Sequence, residues 1–443
     1  MKKNSFYVLI LLLSITALLS CDKPVDSNTS TVPGSNWWML KGHFYRKSFH
    51  PGSSFQPPLV EKWEQNFPHP NSIVNAPIFG SEKVVFQNNN YPDSNKTLRA
   101  ISTEDGSTLW TFPALELAWN GSVVANGKIY FCGIHNQTPK LYSISEDNGS
   151  LNWSVELPTF PNNSPYTLNG SMAIANGSIY IKAVSYSPFE HQAIFVIDQF
   201  SGELIRRLDF DEGSDSDFAI GFGKLFVSTG THLYAYSDVS DEQKWVSNEF
   251  NGKINNIIIH DNVSIGEKAS VIFSVRETGT DSTLTIVALD IQNGDVKWQD
   301  SIHLHMRPYL EDPYRDTVAW SRSFTIAGNI LIATFGNKII SYDASTGAEL
   351  WSHDEPTGQF KFQSVSSNSF LYCLHEFTPH PSGFERSLKV FNIETGQQVN
   401  SYDIQESGGL GYSGDNVKDI MAIDQGLLVI SQGGRITALQ KEL

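Results

Sequence analysis

Apolar and polar positions alternate along most of this chain with a period of two, and the same punctuation interrupts them at regular intervals. The stretch "TLRAISTEDGSTLWTF" (97–112) runs from an alternating segment into an acidic turn with a glycine and emerges at a tryptophan. Close copies follow as "KLYSISEDNGSLNWSV", "TIVALDIQNGDVKWQD" and "KIISYDASTGAELWSH". A two-residue period marks β-strands on a sheet with buried and solvated faces. A phrase that returns at a near-constant spacing marks a repeat architecture.

Aligned on the turn glycine, Gly106, Gly149, Gly294 and Gly347 are each followed four residues later by a tryptophan: Trp110, Trp153, Trp298 and Trp351. Asp241 takes the glycine's place before Trp245, while Gly202 leads to Arg206 and Gly396 to Asn400, two degenerate copies. Successive turn positions lie 39 to 53 residues apart, the size of one four-stranded propeller blade. Short β runs recur between the turns, from "EKVVFQ" through "GKIYFC" to "GLLVIS", and they number eight against seven turns. The mismatch resolves at the two ends. "GGRITALQKEL" is a third strand with no turn after it, and "LVEKWEQNF" (59–67) is a tryptophan strand with no third strand before it. Joining them gives an all-β, eight-bladed β-propeller of four-stranded antiparallel blades, closed by pairing of the N- and C-terminal strands. Closure removes the open edge that would invite aggregation.

The motif's chemistry is structural in this reading. Glycine supplies the positive φ of a tight turn, and the Asp, Asn, Ser or Thr around it bonds the local backbone. Trp63, Trp110, Trp153, Trp245, Trp298 and Trp351 cover the neighbouring blade. Each buries on the order of 150–250 Å², or roughly 4–6 kcal/mol gross. That makes the row of indoles packing rather than a ligand-binding stripe.

Composition agrees with this picture and narrows the function. The 443 residues are 12% aromatic, with 33 Gly and 20 Pro, and no long helical period occurs. The formal charge is −16, and no basic stripe offsets it, so nucleic acid is excluded as an expected partner. Lys2 and Lys3 precede an apolar run from Phe6 to Leu19 that is short for a membrane span. The run ends in "LLSC", which resembles the lipobox of bacterial lipoproteins and makes Cys21 the expected lipidation site. Residues 1–20 are then a signal peptide, whose removal takes away two lysines and moves the charge from −16 to −18. Residues 21–35, with "DKPVDSNTSTVPGS", read as a lipidated flexible tether, and 36–443 as the propeller. Cys132 and Cys373 read as buried free thiols, with neither CxxC spacing nor a disulfide framework.

Other candidate chemistry is sparse. "HLH" at 303–305 places two imidazoles on one face of a strand, without an evident third ligand. No G-x-S-x-G, P-loop or HExxH motif occurs. The Asn-Gly-Ser sequences at Asn120, Asn148, Asn169 and Asn176 are turn chemistry. "DST" at Asp281 and "DTV" at Asp316 resemble a short bacterial O-glycosylation signal.

The turn phrases, above all "SYDASTGAELW" (341–351) and "ALDIQNGDVKW" (288–298), resemble the PQQ-like (quinoprotein-type) β-propeller repeat. "NWWMLKGHFYRKSF" (36–49) is similar to that family's opening segment, and the resemblance covers about residues 36–443. One branch of the family comprises quinone- and Ca²⁺-dependent dehydrogenases, often with a vicinal disulfide, and no two cysteines are adjacent here. The other is the lipid-anchored accessory propeller of the outer-membrane β-barrel assembly machinery, which the lipobox and blade count match better. That resemblance implies a non-enzymatic scaffold without a cofactor or metal. Its expected place is the bacterial cell envelope, lipid-anchored at the outer membrane as a monomeric subunit beside an outer-membrane β-barrel complex. A carbohydrate- or small-ligand-binding propeller and a quinone-dependent oxidoreductase are the alternatives.

The short C–D and A–B turns leave one face of such a ring and the longer connections leave the other. The long ones are 88–96, 183–192, 375–386 and above all 300–322, read as irregular loops. Tyr309, Tyr314, Arg315 and Trp320 in the longest are the expected partner-binding anchors.

Overall fold

The computed structural model describes residues 56–67, 78–80, 82–90, 95–113, 116–117, 122–135, 138–158, 172–185, 191–212, 216–261, 269–276, 283–303, 322–367, 369–380, 383–404, 417–423, 426–431 and 435–442. They build eight antiparallel sheets. Seven are meanders of consecutive strands, blades 1 to 7, at 78–113, 116–156, 172–210, 219–246, 253–303, 322–354 and 359–403. Blade 8 joins Val417–Ile423, Gly426–Ser431 and Arg435–Lys441 to Leu59–Asn66 as its outermost strand. The closing pair runs from Leu59 opposite Lys441 to Asn66 opposite Arg435. In blade 2 two short strands, Glu116–Leu117 and Val123–Ala125, share the innermost place against Lys128–His135.

First strands of neighbouring blades lie against one another, which sets them around the ring axis. Second strands such as Lys224–Thr229 are buried throughout. Both of their faces meet an adjacent blade, so they read as apolar runs rather than strict alternations. Fourth strands such as Leu151–Glu156 and Glu349–Asp354 alternate between exposed and half-buried at the rim. A core cluster joins blade 7 (Val365, Tyr372, Leu388), blade 8 (Ile420, Leu428) and blade 1 (Val84, Phe86), so hydrophobic packing continues across the closure.

Every fourth strand carries a β-bulge at one motif position, the residue before the tryptophan or before Arg206 or Asn400 in its place. The extra residues are Lys62, Leu109, Asn152, Ile205, Lys244, Lys297, Leu350 and Val399. A bulge re-aims the side chain that follows it, and here that chain is the indole. Opposite each tryptophan stands a small residue: Ala438, Ala100, Ser143, Ala235, Ala288 and Ser341 face Trp63, Trp110, Trp153, Trp245, Trp298 and Trp351.

The indole lies on the turn glycine of the next blade. Gly149 has φ +71°, and a Cβ there would stand 2.7 Å from Trp110 Cε3. The position therefore demands glycine twice, for its backbone angle and for room. Five of the six tryptophans also donate Nε1–H to the carbonyl three residues before the next turn's glycine. Trp63 bonds Thr103 at 2.9 Å, Trp110 Glu146 at 2.9 Å, Trp245 Ile291 at 3.2 Å, Trp298 Ala344 at 3.0 Å and Trp351 Ile393 at 2.7 Å. At Trp153 the equivalent carbonyl, Gln199, accepts from the Tyr130 hydroxyl at 3.1 Å, and the buried Trp153 Nε1 has no partner.

The two degenerate copies are compensated. Arg206 faces blade 4, whose turn has Asp241 for glycine. Its Nη2 donates to the Asp238 and Ser237 carbonyls at 2.6 and 3.0 Å, and its Nη1 to the Ser240 carbonyl. Asn400 faces blade 8, where the third and fourth strands come from opposite ends of the chain and no turn links them. Its Nδ2 donates to the Tyr402 hydroxyl at 2.9 Å, which accepts the Leu59 N–H at 2.6 Å. The residues opposite are Val196 and Val390 rather than Ala or Ser, so no pocket for an indole is left.

Candidate functional site

In a meander blade the A–B and C–D turns leave one face of the ring, and the B–C and D–A connections leave the other. The short-turn face carries tight turns such as Asn126–Gly127 and Asn176–Gly177, with positive φ at both residues, as two-residue hairpin turns require. The opposite face carries the D–A connections and B–C connections as short as two residues, at 230–231 and 336–337.

Tyr309, Tyr314, Arg315 and Trp320 lie outside the described residues, as does Cys21. The strands that flank the four, Val296–His303 and Arg322–Ala327, end and begin at the loop face. His303 closes a strand, and His305 is outside the described residues. The expected irregular loop at 375–386 is instead a hairpin, Phe370–His380 paired with Gly383–Asn392. Its ladder continues because Glu376 and Arg386 stand opposite each other and pair, with Arg386 Nε and Nη2 at 3.0 and 2.9 Å from Glu376 Oε2. Both residues are buried, so breaking one partner would strand the other's charge. Strand extension likewise shortens 88–96 and 183–192 to connections at 91–94 and 186–190.

Two buried polar networks brace the loop face. Between blades 6 and 7, Glu355 accepts from Lys389 Nζ and lies 3.5 Å from His353 Nε2. Asn337 Nδ2 donates to the Glu355 carbonyl at 3.1 Å. Burial alone would raise the Glu355 carboxyl, but the Lys389 hydrogen bond and charge hold it below its usual range. His375 Nε2 is 2.8 Å from the Thr357 carbonyl, and burial lowers its pKa from 6.5. Between blades 3 and 4, Lys182 donates to the Ser216 carbonyl and Gln192 Nε2 to the Ser228 carbonyl at 2.7 Å. Sequence reasoning missed both networks. Its available signal was a lysine inside the apolar run "IYIKAV".

Cys132 and Cys373 are free and buried, in different blades, and burial pushes both thiols above the ordinary range. Among the described residues no group of three or more His, Cys, Asp and Glu side chains could hold a metal ion. No helix among them is long and apolar enough to cross a membrane.

Comparison with known proteins places this architecture. No curated protein matches the chain. BamB from Moraxella catarrhalis is similar at 12% identity and TM-score 0.55, over 87% of this chain and 98% of that one. A europium-containing methanol dehydrogenase gives TM-score 0.63 at 9% identity, over 92% and 98%. A quinohemoprotein alcohol dehydrogenase from Comamonas testosteroni gives 0.62 at 11%, over 95% and 83%. Identities this low show a shared fold alone. The sequence profile of one family, described as outer membrane protein assembly factor BamB, matches residues 61–188 and 190–442. The chain thus belongs to the BamB family of PQQ-like β-propellers.

Proposed function

We propose that this protein is a non-enzymatic scaffold, anchored through Cys21 and an extended 21–35 tether, that serves an outer-membrane protein assembly or translocation complex. The observation that carries the reading is the family match over 61–188 and 190–442. The "LLSC" sequence behind a short apolar run, which makes 1–20 a signal peptide, accompanies it. The loop face is the binding surface in this proposal, with Tyr309, Tyr314, Arg315 and Trp320 as anchors and an envelope protein as partner. The strands on either side of these anchors, Val296–His303 and Arg322–Ala327, belong to blades 5 and 6, so the proposed surface is carried by folded blades.

Photocrosslinkers placed at 309, 314 and 320 in the full chain should capture one envelope protein in cells. Cys21→Ser should release the chain from membranes and weaken that capture. Membrane sedimentation unchanged by Cys21→Ser would remove the anchor from the proposal. The likeness to quinone dehydrogenases motivates one second reading. Quinone- and Ca²⁺-dependent dye reduction by the purified protein would establish it and overturn the scaffold.

A further inference from the structure

One position recurs on the third strand of every blade, a residue before the partner of the tryptophan or of Arg206 or Asn400 in its place. It holds Tyr142, Phe195, Tyr234, Val287 and Ile340 in blades 2 to 6, and Thr437 in blade 8. Blades 7 and 1 put a cation there, Lys389 and Arg99. Lys389 meets the Glu355 carboxylate. Arg206, Arg207, Arg386 and Arg435 likewise have carboxylates at 3.4, 2.6, 2.9 and 3.9 Å. Arg99 has none among the described residues.

Arg99 stands half-buried in the seam between blades 8 and 1, its guanidinium carbon 5.1 Å from the centre of the Phe67 ring. Its Nη1 donates to Thr108 Oγ1 at 3.2 Å. Its Nε–H is buried and has no acceptor. Thr97 Oγ1, two residues earlier on the same face of the strand, is also buried and unbonded. Thr111 stands opposite Arg99 on the fourth strand, and both it and Thr108 are exposed, so the cluster opens to the rim. From blade 8, Trp63 and Gln65 face the seam, since a Cβ on Gly106 would stand 2.8 Å from Trp63 Cε3 and 2.6 Å from Gln65 Cγ. Neither is acidic. Glu64, between them in the chain, reaches Arg435 at 3.9 Å, and Glu104 reaches Lys62 at 2.6 Å.

A charge withdrawn from water without a counter-ion costs stability, and buried polar atoms without partners are rare in folded proteins. Burial holds the Arg99 pKa below the ordinary guanidinium value, and no acid offsets it. The chain has 47 acidic residues against 31 basic ones, yet the fold brings none of them to this cation. What the cluster lacks is an acceptor. A planar fork of N–H donors flanked by hydroxyls matches the oxygens of a carboxylate or phosphate, and the Phe67 ring holds the guanidinium in place. We infer that Arg99, with Thr97, Thr108 and Thr111 around it, is an oxyanion-binding site at the closing seam, for a carboxylate or phosphate group. It stands independently of the loop face and of the proposed role there.

The test uses the full chain with threonine methyl groups labelled for NMR. The probes are inorganic phosphate and an acetylated, amidated tetraglutamate peptide. Phosphate should shift the Thr97 methyl signal saturably, and sodium chloride at equal ionic strength should not. Arg99→Gln should weaken the response at least about tenfold, the loss of a hydrogen bond to a charged group. Arg99→Lys, which keeps the charge and loses the fork, should fall between that variant and the parent. It also carries the comparison should Arg99→Gln melt early. The inference is overturned if phosphate moves the Thr97 signal equally in the parent and in Arg99→Gln, if chloride reproduces the parent's response, or if neither probe saturates. Displacement of phosphate by the peptide at lower concentration would assign the site to side-chain carboxylates of a partner protein. Saturable phosphate binding without competition from the peptide would assign it to a free anion. Deleting 304–317 should leave both titrations unchanged, which separates this site from the loop face.

Discussion

Arg206 and Asp241 hold the seam between blades 3 and 4 in the places that tryptophan and glycine hold at six other seams, with Arg206 Nη1 3.4 Å from Asp241 Oδ1. The guanidinium reaches the Asp238 carbonyl, the position that indole N–H groups reach elsewhere. Two apparent losses from the repeat are therefore one exchange. Arg206→Trp alone sets an indole against Asp241 and opposite Val196, so it should cost about 1–3 kcal/mol as overpacking. Adding Asp241→Gly should recover part of that loss. Urea denaturation of both single variants and the double variant would measure a coupling of about 0.5–3 kcal/mol. Strict additivity would refute the exchange.

Gly149 and Gly127 separate backbone angle from contact. Both have positive φ, +71° and +68°, but only Gly149 has an indole where a Cβ would go. Gly127→Ala should cost about 1–2 kcal/mol for the left-handed conformation. Gly149→Ala should cost about 1–3 kcal/mol more through displacement of Trp110. Equal melting shifts for the two variants would deny the indole its role at the seam.

Tyr130→Phe frees the Gln199 carbonyl beside the unpaired Trp153 Nε1. The substituted protein should lose less than the ~1 kcal/mol of an ordinary hydrogen bond, because the indole becomes the new donor. Slower exchange of the Trp153 indole proton in NMR would mark the swap. A full loss with unchanged exchange would show that the indole stays unpaired.

Acid should loosen the blade 6–7 network first. His375 has its folded pKa lowered by burial, so its contribution is present above the ordinary value of 6.5 and is lost as pH falls below it. Glu355 is also lowered, with Lys389 outweighing burial, so its contribution is lost as pH falls below 4.5. Both losses run the same way. Melting temperature should drop in two stages below pH 6.5, and His375→Gln should flatten the first. A parallel curve for that variant would place the titration elsewhere.

The ring was legible in the chain because one phrase writes both halves of each seam, glycine for the turn behind and tryptophan for the blade ahead. The half-repeats around Trp63 and Ile436 also announced the closure that pairs 59–66 with 435–441. What stayed hidden depends on partners that sequence proximity does not reveal. Arg206 reads as a failed tryptophan until Asp241 is seen across the seam. Asn400 reads the same way until blade 8 is found to have no turn to cover. The 375–386 segment, with its prolines and charges, reads as a loop, because the Glu376–Arg386 pair that keeps it in register forms only between strands. Glu355 and Lys389 are 34 residues apart and carry no motif. The four expected anchors at 309–320 lie outside the described residues and remain proposals.

Pairing Leu59 with Lys441 also sets an order of events. The first described strand to leave a ribosome or a secretion channel must wait for the last described one before its ladder exists, and closing so long a loop is an entropic cost that local contacts cannot offset early. Until then, Trp63 and the open third strand of blade 8 present an unpaired edge. Folding of this ring should therefore conclude in one late, cooperative step, and a holding chaperone would find its client in the unclosed chain.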